Sequence, residues 1–233
     1  MNTAQTDVLQ AQGKPKARTK RMPREVRERQ MLDAAVAVFA RRGYRAASMD
    51  EIAELAGASK PLVYLYLHSK EDLFSACIRR EAEALIAAVQ ASVDPGAPAD
   101  RRLWNGLRGF FAHTAANPDG WAVLHCQART HGEPFALEVA ALRQRLVDVV
   151  TRLITETAEA GGCTEPLPEV EVAGLAHALV GAAESLAGWS NGRDGDGEGS
   201  GSCERQTAET LMNFAWTGLE NLRNGRRWAL ARS

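Results

Sequence analysis

The chain has 233 residues, 45% hydrophobic and 24% charged, an ordinary balance for one or two folded domains with a sizeable core. Its net charge of −1 hides a division: 15 Lys and Arg against 9 Asp and Glu through Arg80, a net +6, then 13 against 20, a net −7. A cationic first third joined to an anionic remainder points to a polyanion met by the first part alone, while Cys77, Cys126, Cys163 and Cys203, spread without CxxC spacing, argue against a zinc site and a disulfide-stapled secreted scaffold.

Residues 1–23 are polar and without periodicity, and Lys14, Lys16, Arg18 and Lys20 make them a flexible basic arm suited to phosphates or a DNA groove. They hold no apolar stretch of the signal-peptide kind, so export is not expected and the cytoplasm is the expected location. From Arg24, the positions Leu32, Ala35, Val36 and Phe39 fall on one helical face, and the helix is expected to end at Gly43. Ser48-Met49-Asp50-Glu51 has the form of a capping box, in which the serine oxygen accepts from a free backbone N–H and the glutamate reaches back to the cap. The helix it opens carries Ile52, Leu55 and Ala56 on one face and stops at Gly57. Ser59 caps a second short helix, with Pro61 tolerated in its first turn and Val63, Tyr66 and Leu67 facing inward. Ser69-Lys70-Glu71-Asp72 opens a longer helix through Leu73, Phe74, Cys77 and Ile78 toward Gln90.

Asp94-Pro95-Gly96-Ala97-Pro98 breaks the chain, and helical patterning resumes over 100–116, 120–131, 135–160, 168–190 and 203–224. No strand and no solenoid repeat is expected, and short connections imply antiparallel neighbours in a bundle. The longest nearly apolar run, 172–183, is too short to span a bilayer and carries His177, so no membrane partner is expected.

The segment SMDEIAELAGASKPLVYLYLHSKEDLF, Ser48 to Phe74, resembles the DNA-binding signature of the TetR family of transcriptional regulators, and the likeness extends back through Phe39, Gly43 and Tyr44. The resemblance implies an all-α fold: an N-terminal three-helix DNA-binding domain with a helix-turn-helix over 24–70, then a C-terminal helical bundle over 71–233 for ligand binding and dimerisation. It also implies a ligand-responsive regulator, most simply a repressor, that binds a palindromic operator as a homodimer and is released by a small molecule. The last two helices would form a four-helix interface with a second copy. A recognition helix must show side chains to the major groove. Lys60, Pro61, Leu62 and Leu65 are expected on that side: Lys60 can donate to guanine, whereas Pro61 and Leu62 offer apolar contact to thymine methyls. Tyr64 and Lys70 match a tyrosine and a lysine of the family signature that contact phosphates; Ser48 and Ser59 add donors at helix starts, and Tyr66 is a further candidate. Pro61 and Leu65 depart from the usual pattern, where a small residue and a polar or aromatic one are common.

For the effector, Trp104, Leu107, Phe110, Phe111, Trp121, Leu124, His125 and Phe135 are candidates to line a cavity. His177, Gly181, Glu184 and Gly188 form a small or polar stripe beside Leu175, Leu179, Leu186 and Trp189, suited to a pocket, a dimer seam or solvent. An enzyme is not expected: no GxSxG, HExxH, P-loop or Rossmann pattern occurs, and no metal or cofactor is implied. A calcium loop begun by Asp194, Asp196 and Glu198 fails at its twelfth position, where Arg205 stands. An alternative class is a thiol redox sensor, because Cys126 neighbours His125.

Overall fold

The computed structural model describes residues 23–127, 135–160, 167–192, 200–224 and 226. The described residues form nine α-helices and no strand. Helix α1, Arg24–Ala46, buries Met31, Ala34, Ala35, Val38 and Phe39, the 3.6-residue stripe of an amphipathic helix. It kinks at Gly43, which takes φ 75°, so the expected stop is a bend with one more turn beyond it. Helix α2, Met49–Leu55, starts at Ser48, whose Oγ accepts from the Asp50 N–H at 3.2 Å. The expected reciprocal half of that cap does not form, because the Glu51 carboxylate accepts from Arg42 of α1 at 3.4 Å.

The turn after α2 is fixed by backbone bonds: Ala58 N–H donates to the Ala53 carbonyl at 2.9 Å and Gly57 N–H to that of Glu54 at 3.0 Å. This pairing is a Schellman motif, and it requires the positive φ that Gly57 supplies, 60°. Helix α3, Lys60–Leu67, follows with Pro61 in its first turn. The Ser59 side chain makes no cap bond; its carbonyl instead accepts from the Leu62 and Val63 N–H groups. Helix α4, Lys70–Ser92, has a closed cap in which Ser69 Oγ accepts from Asp72 N–H at 3.0 Å and donates to the Asp72 carboxylate at 2.8 Å. Between α3 and α4, Ser69 N–H donates to the Leu67 carbonyl across His68, a three-residue γ-turn that holds His68 at φ 44°, ψ −55°.

Helices α5, Ala99–Ala116, and α6, Pro118–Ala122, meet at Asn117, and α6 runs into a π-helical turn, Val123–Gln127. The continuous α-helix expected over 120–131 is therefore a short α-helix with a wider turn behind it, and its last residues lie outside those described. Helices α7, Phe135–Ala160, α8, Glu169–Asn191, and α9, Ser200–Arg223, complete the chain. The expectation that the apolar run of α8 is too short for a bilayer needs correction: the whole 23-residue helix is long and apolar enough to cross one by composition. Its apolar residues Val172, Ala176, Leu179, Val180, Ala183 and Ala187 are buried in this fold, where α8 packs on α5, α7 and α9.

One apolar core runs from Met31 in α1 through Val63, Phe74 and Leu85 to Leu107, Phe135, Leu179 and Leu211, so the first three helices and the bundle share an interior. Leu55, expected on the inner face of α2, is 53% exposed; Ile52 and Ala53 fill that face instead.

Candidate nucleic-acid interface and effector cavity

Local sequence determines what α3 shows to solvent. Val63 and Leu67, four apart, are buried and seat the helix beside α2 and α4, which turns Lys60, Pro61, Tyr64 and Leu65 outward. Leu65 is 69% exposed. Leu62 is half-buried against the core rather than facing out, and Tyr66 is half-buried with the Arg24 guanidinium 5.2 Å from its ring centre. Lys60 Nζ donates to the Asp50 carboxylate at 2.9 Å, and this bond raises the lysine's pKa. Lys70 Nζ donates to the Arg45 carbonyl at 3.1 Å and lies 4.9 Å above the Tyr44 ring, while partial burial lowers its pKa. Ser48 and Ser59, at the starts of α2 and α3, are both exposed. The basic arm, 1–23, lies outside the described residues up to its last, Pro23.

A cavity of about 270 Å³ opens between α4, α5, α6, α7 and α8. Ala82, Leu85 and Ile86 of α4 form one wall, and Phe110, Trp121 and Leu124 another; His125, Arg143 and Glu184 supply its polar groups. Trp121 and His125 stack with ring centres 4.9 Å apart, and Phe110 meets the Trp121 ring edge-on at 5.6 Å. The Arg143 Nε donates to both Glu184 oxygens at 3.1 Å, a short ionic clamp between α7 and α8. Phe110 and Leu146 also border a second, wholly apolar space lined by Leu103, Leu107, Val150 and Val180.

Of the side chains singled out in the sequence, Trp121, His125 and Glu184 stand on the first cavity, with Phe110 and Leu124, and Leu107 on the adjoining one. Phe111 is 2% exposed inside the core against Phe110 and borders neither space. Trp104 lies at a surface groove with Met212 and Asn213 of α9. His177 is exposed, with its Nδ1 3.4 Å from Arg143 beyond the cavity wall. The small stripe of α8 faces α7 and the π turn: a Cβ on Gly181 would stand 3.5 Å from Arg143, and one on Gly188 3.6 Å from His125. Arg143 escaped the sequence reading, although Ala136, Val139, Ala140, Arg143 and Leu146 form a helical stripe in which a lone cation interrupts apolar residues.

The cavity and the N-terminal helices are joined at two places. Phe135, first residue of α7, stacks edge-on against Tyr44 at 5.0 Å and Phe74 at 4.8 Å, and Phe74 in turn meets Phe39 at 4.8 Å. Beside the cavity wall, buried Glu81 of α4 accepts from Arg80, whose other arm donates to Asp33 of α1 at 2.7 Å. Gly120 of α6 lies so close that a Cβ there would stand 2.3 Å from the Glu81 carboxylate. Of the cysteines, Cys77 is buried and its thiol is pushed up to about 12, which leaves it unreactive at neutral pH. The Cys126 side chain, Cys163 and the acidic loop at 194–198 lie outside the described residues.

The family profile described as "Bacterial regulatory proteins, tetR family" matches residues 31–77, and one described as "Tetracyclin repressor-like, C-terminal domain" matches 99–218. The chain is similar to the HTH-type transcriptional activator FasR of Mycolicibacterium smegmatis, 29% identical over 206 residues that cover 88% of each chain. Among solved structures it is similar to a TetR-like transcriptional regulator from Rhodococcus sp. RHA1, with a TM-score of 0.70 and 38% identity over 86% of this chain and 99% of that one. It shares its fold with the transcriptional regulator FadR from Bacillus subtilis in complex with stearoyl-CoA, with a TM-score of 0.66 and 20% identity over 85% of this chain and 99% of that one.

Proposed function

Given that the chain belongs to the TetR family and is a DNA-binding, ligand-responsive transcriptional regulator, we propose that it represses its target as a homodimer, releasing a palindromic operator when an amphipathic small molecule fills the cavity. In this reading residues 24–70 grip DNA and 71–233 bind the effector and the second copy. The protein works in the cytoplasm, on DNA, and its role is regulatory rather than catalytic. Lys60, Pro61, Tyr64 and Leu65 enter the major groove; Ser48, Ser59 and Lys70 hold phosphates, with Leu62 and Tyr66 supporting the helix from its flanks. Dimerisation runs through α8 and α9, whose outer faces carry Val170, Trp189 and Phe214, the last 78% exposed.

The observation that carries the effector half is the shape of the interior: an apolar cavity with Arg143, Glu184 and His125 at one side and a second apolar space behind Phe110 and Leu146. An elongated hydrocarbon with a polar head fits such a site. The FadR structure, with stearoyl-CoA, supports a fatty acyl group as that hydrocarbon. The test is to select operator fragments from random genomic DNA, then titrate the complex with acyl-CoAs of graded chain length. Release by one range of lengths is expected, and a complex indifferent to every acyl compound that binds the protein would overturn the effector assignment. FasR, the relative matched along most of the chain, is named an activator, and this favours a second reading in which the same release switches a gene off. Transcription from the selected operator with and without the protein distinguishes the two.

A further inference from the structure

We propose that α3 reads the C5-methyl groups of thymine, with Leu65 as the specificity-determining side chain; the inference rests on the major-groove docking of α3 proposed above. Helix α3 carries one charged side chain, Lys60, and its ammonium is already bonded to the Asp50 carboxylate. That pairing has a local cause. A cation in the first turn of a helix faces the positive end of the backbone dipole, and Asp50, across the turn, offsets it. The ammonium keeps two hydrogens, but it is tethered toward the start of α2, and as half of a neutral pair it adds little net pull on DNA. The Tyr64 hydroxyl is the other polar side-chain group on the outward side. What remains there is apolar: Pro61 and Leu65, one turn apart on the same face, both exposed. A leucine pressed on the N7, O6 or N4 groups of the other bases would strip them of water and return no hydrogen bond. Among major-groove edges, the thymine methyl is the group that such a surface can bury with profit to both sides.

Uracil differs from thymine by that methyl alone, which makes the test direct. With an operator selected from random DNA, each thymine of a half-site is replaced in turn by deoxyuridine and the affinity measured by fluorescence anisotropy. A loss of about three- to tenfold is expected at one or two positions, the worth of one buried methyl and its contact. In a Leu65→Ala variant the same replacement should cost nothing further at the position Leu65 covers, while Pro61→Ala should leave that position sensitive. Since Leu65 is exposed, its truncation leaves the core untouched, and an unchanged melting temperature verifies this. Uniform indifference to uracil, or a loss that persists in full in Leu65→Ala, overturns the proposal. Failure to select any fragment would instead strike the docking on which it rests.

Discussion

His68 is the one described non-glycine residue with positive φ, 44°, at the junction of α3 and α4. A side chain held in that region stores of order 1–3 kcal/mol. His68→Gly should therefore raise stability by about 1 kcal/mol, seen as a gain of about 2–4 °C in Tm by calorimetry, once the larger entropy that glycine loses on folding is set against the relieved strain. Lys70 differs from Lys60 in its electrostatics as well as its place, for among the described residues its ammonium is bonded to a carbonyl rather than a carboxylate and laid over a ring. Lys70→Ala should weaken binding to all sequences alike and reduce the slope of log affinity against log salt by about 1. Removing both partners of the other pair, Lys60→Ala with Asp50→Ala, keeps the net charge and should leave that slope nearly unchanged. Equal slopes for both variants would refute the assignment.

At the scale of elements, local chemistry is enough to read where several of the helices begin. Ser48, Gly57 and Ser69 bound α2 and the start of α4 as their types require, since caps and positive-φ turns depend on near neighbours, whereas Ser59 opens α3 without a side-chain cap bond. What sequence did not disclose depends on distant partners. Leu55 reads as core by spacing, yet α2 is so short that rotation about its axis is set by α1 and α3, and Ile52 with Ala53 takes the inner face. Phe111 and Phe110 are neighbours of one type, and only the placement of α6 and α7 decides which faces the cavity. Glu81 sits four residues beyond Cys77 in an apolar register, a visible anomaly whose reason lies 39 residues away at Gly120. Gly120→Ala would force the Glu81 carboxylate from its place between α4 and α6, at a cost of about 1–3 kcal/mol. The double variant Gly120→Ala, Glu81→Ala should recover part of that loss in chemical denaturation. Additive effects would mean that the two residues do not press on each other.

At the scale of the molecule, the exposed apolar residues are distributed unevenly. Val170 and Trp189 on α8 and Phe214 on α9 are 85%, 56% and 78% exposed, and Gly174 and Gly218 leave open space beside them. Helices that show small and large apolar residues together can approach a second pair closely. Phe214→Glu should therefore halve the mass found by light scattering and weaken operator binding on the order of a hundredfold, the loss of a tethered second grip. A variant that keeps its mass would refute the placement of the interface.

The aromatic contact at the start of α7 has another consequence. Phe135 completes a ring cluster with Phe39, Tyr44 and Phe74, so part of the interior of the N-terminal end comes from beyond residue 130. That end is not a detachable module. A hybrid regulator made by exchanging residues 24–70 with those of a relative would inherit a foreign socket for Phe135, and a graft that carries the matching aromatic partners along should retain its responsiveness where a simple cut at the helix boundary would lose it.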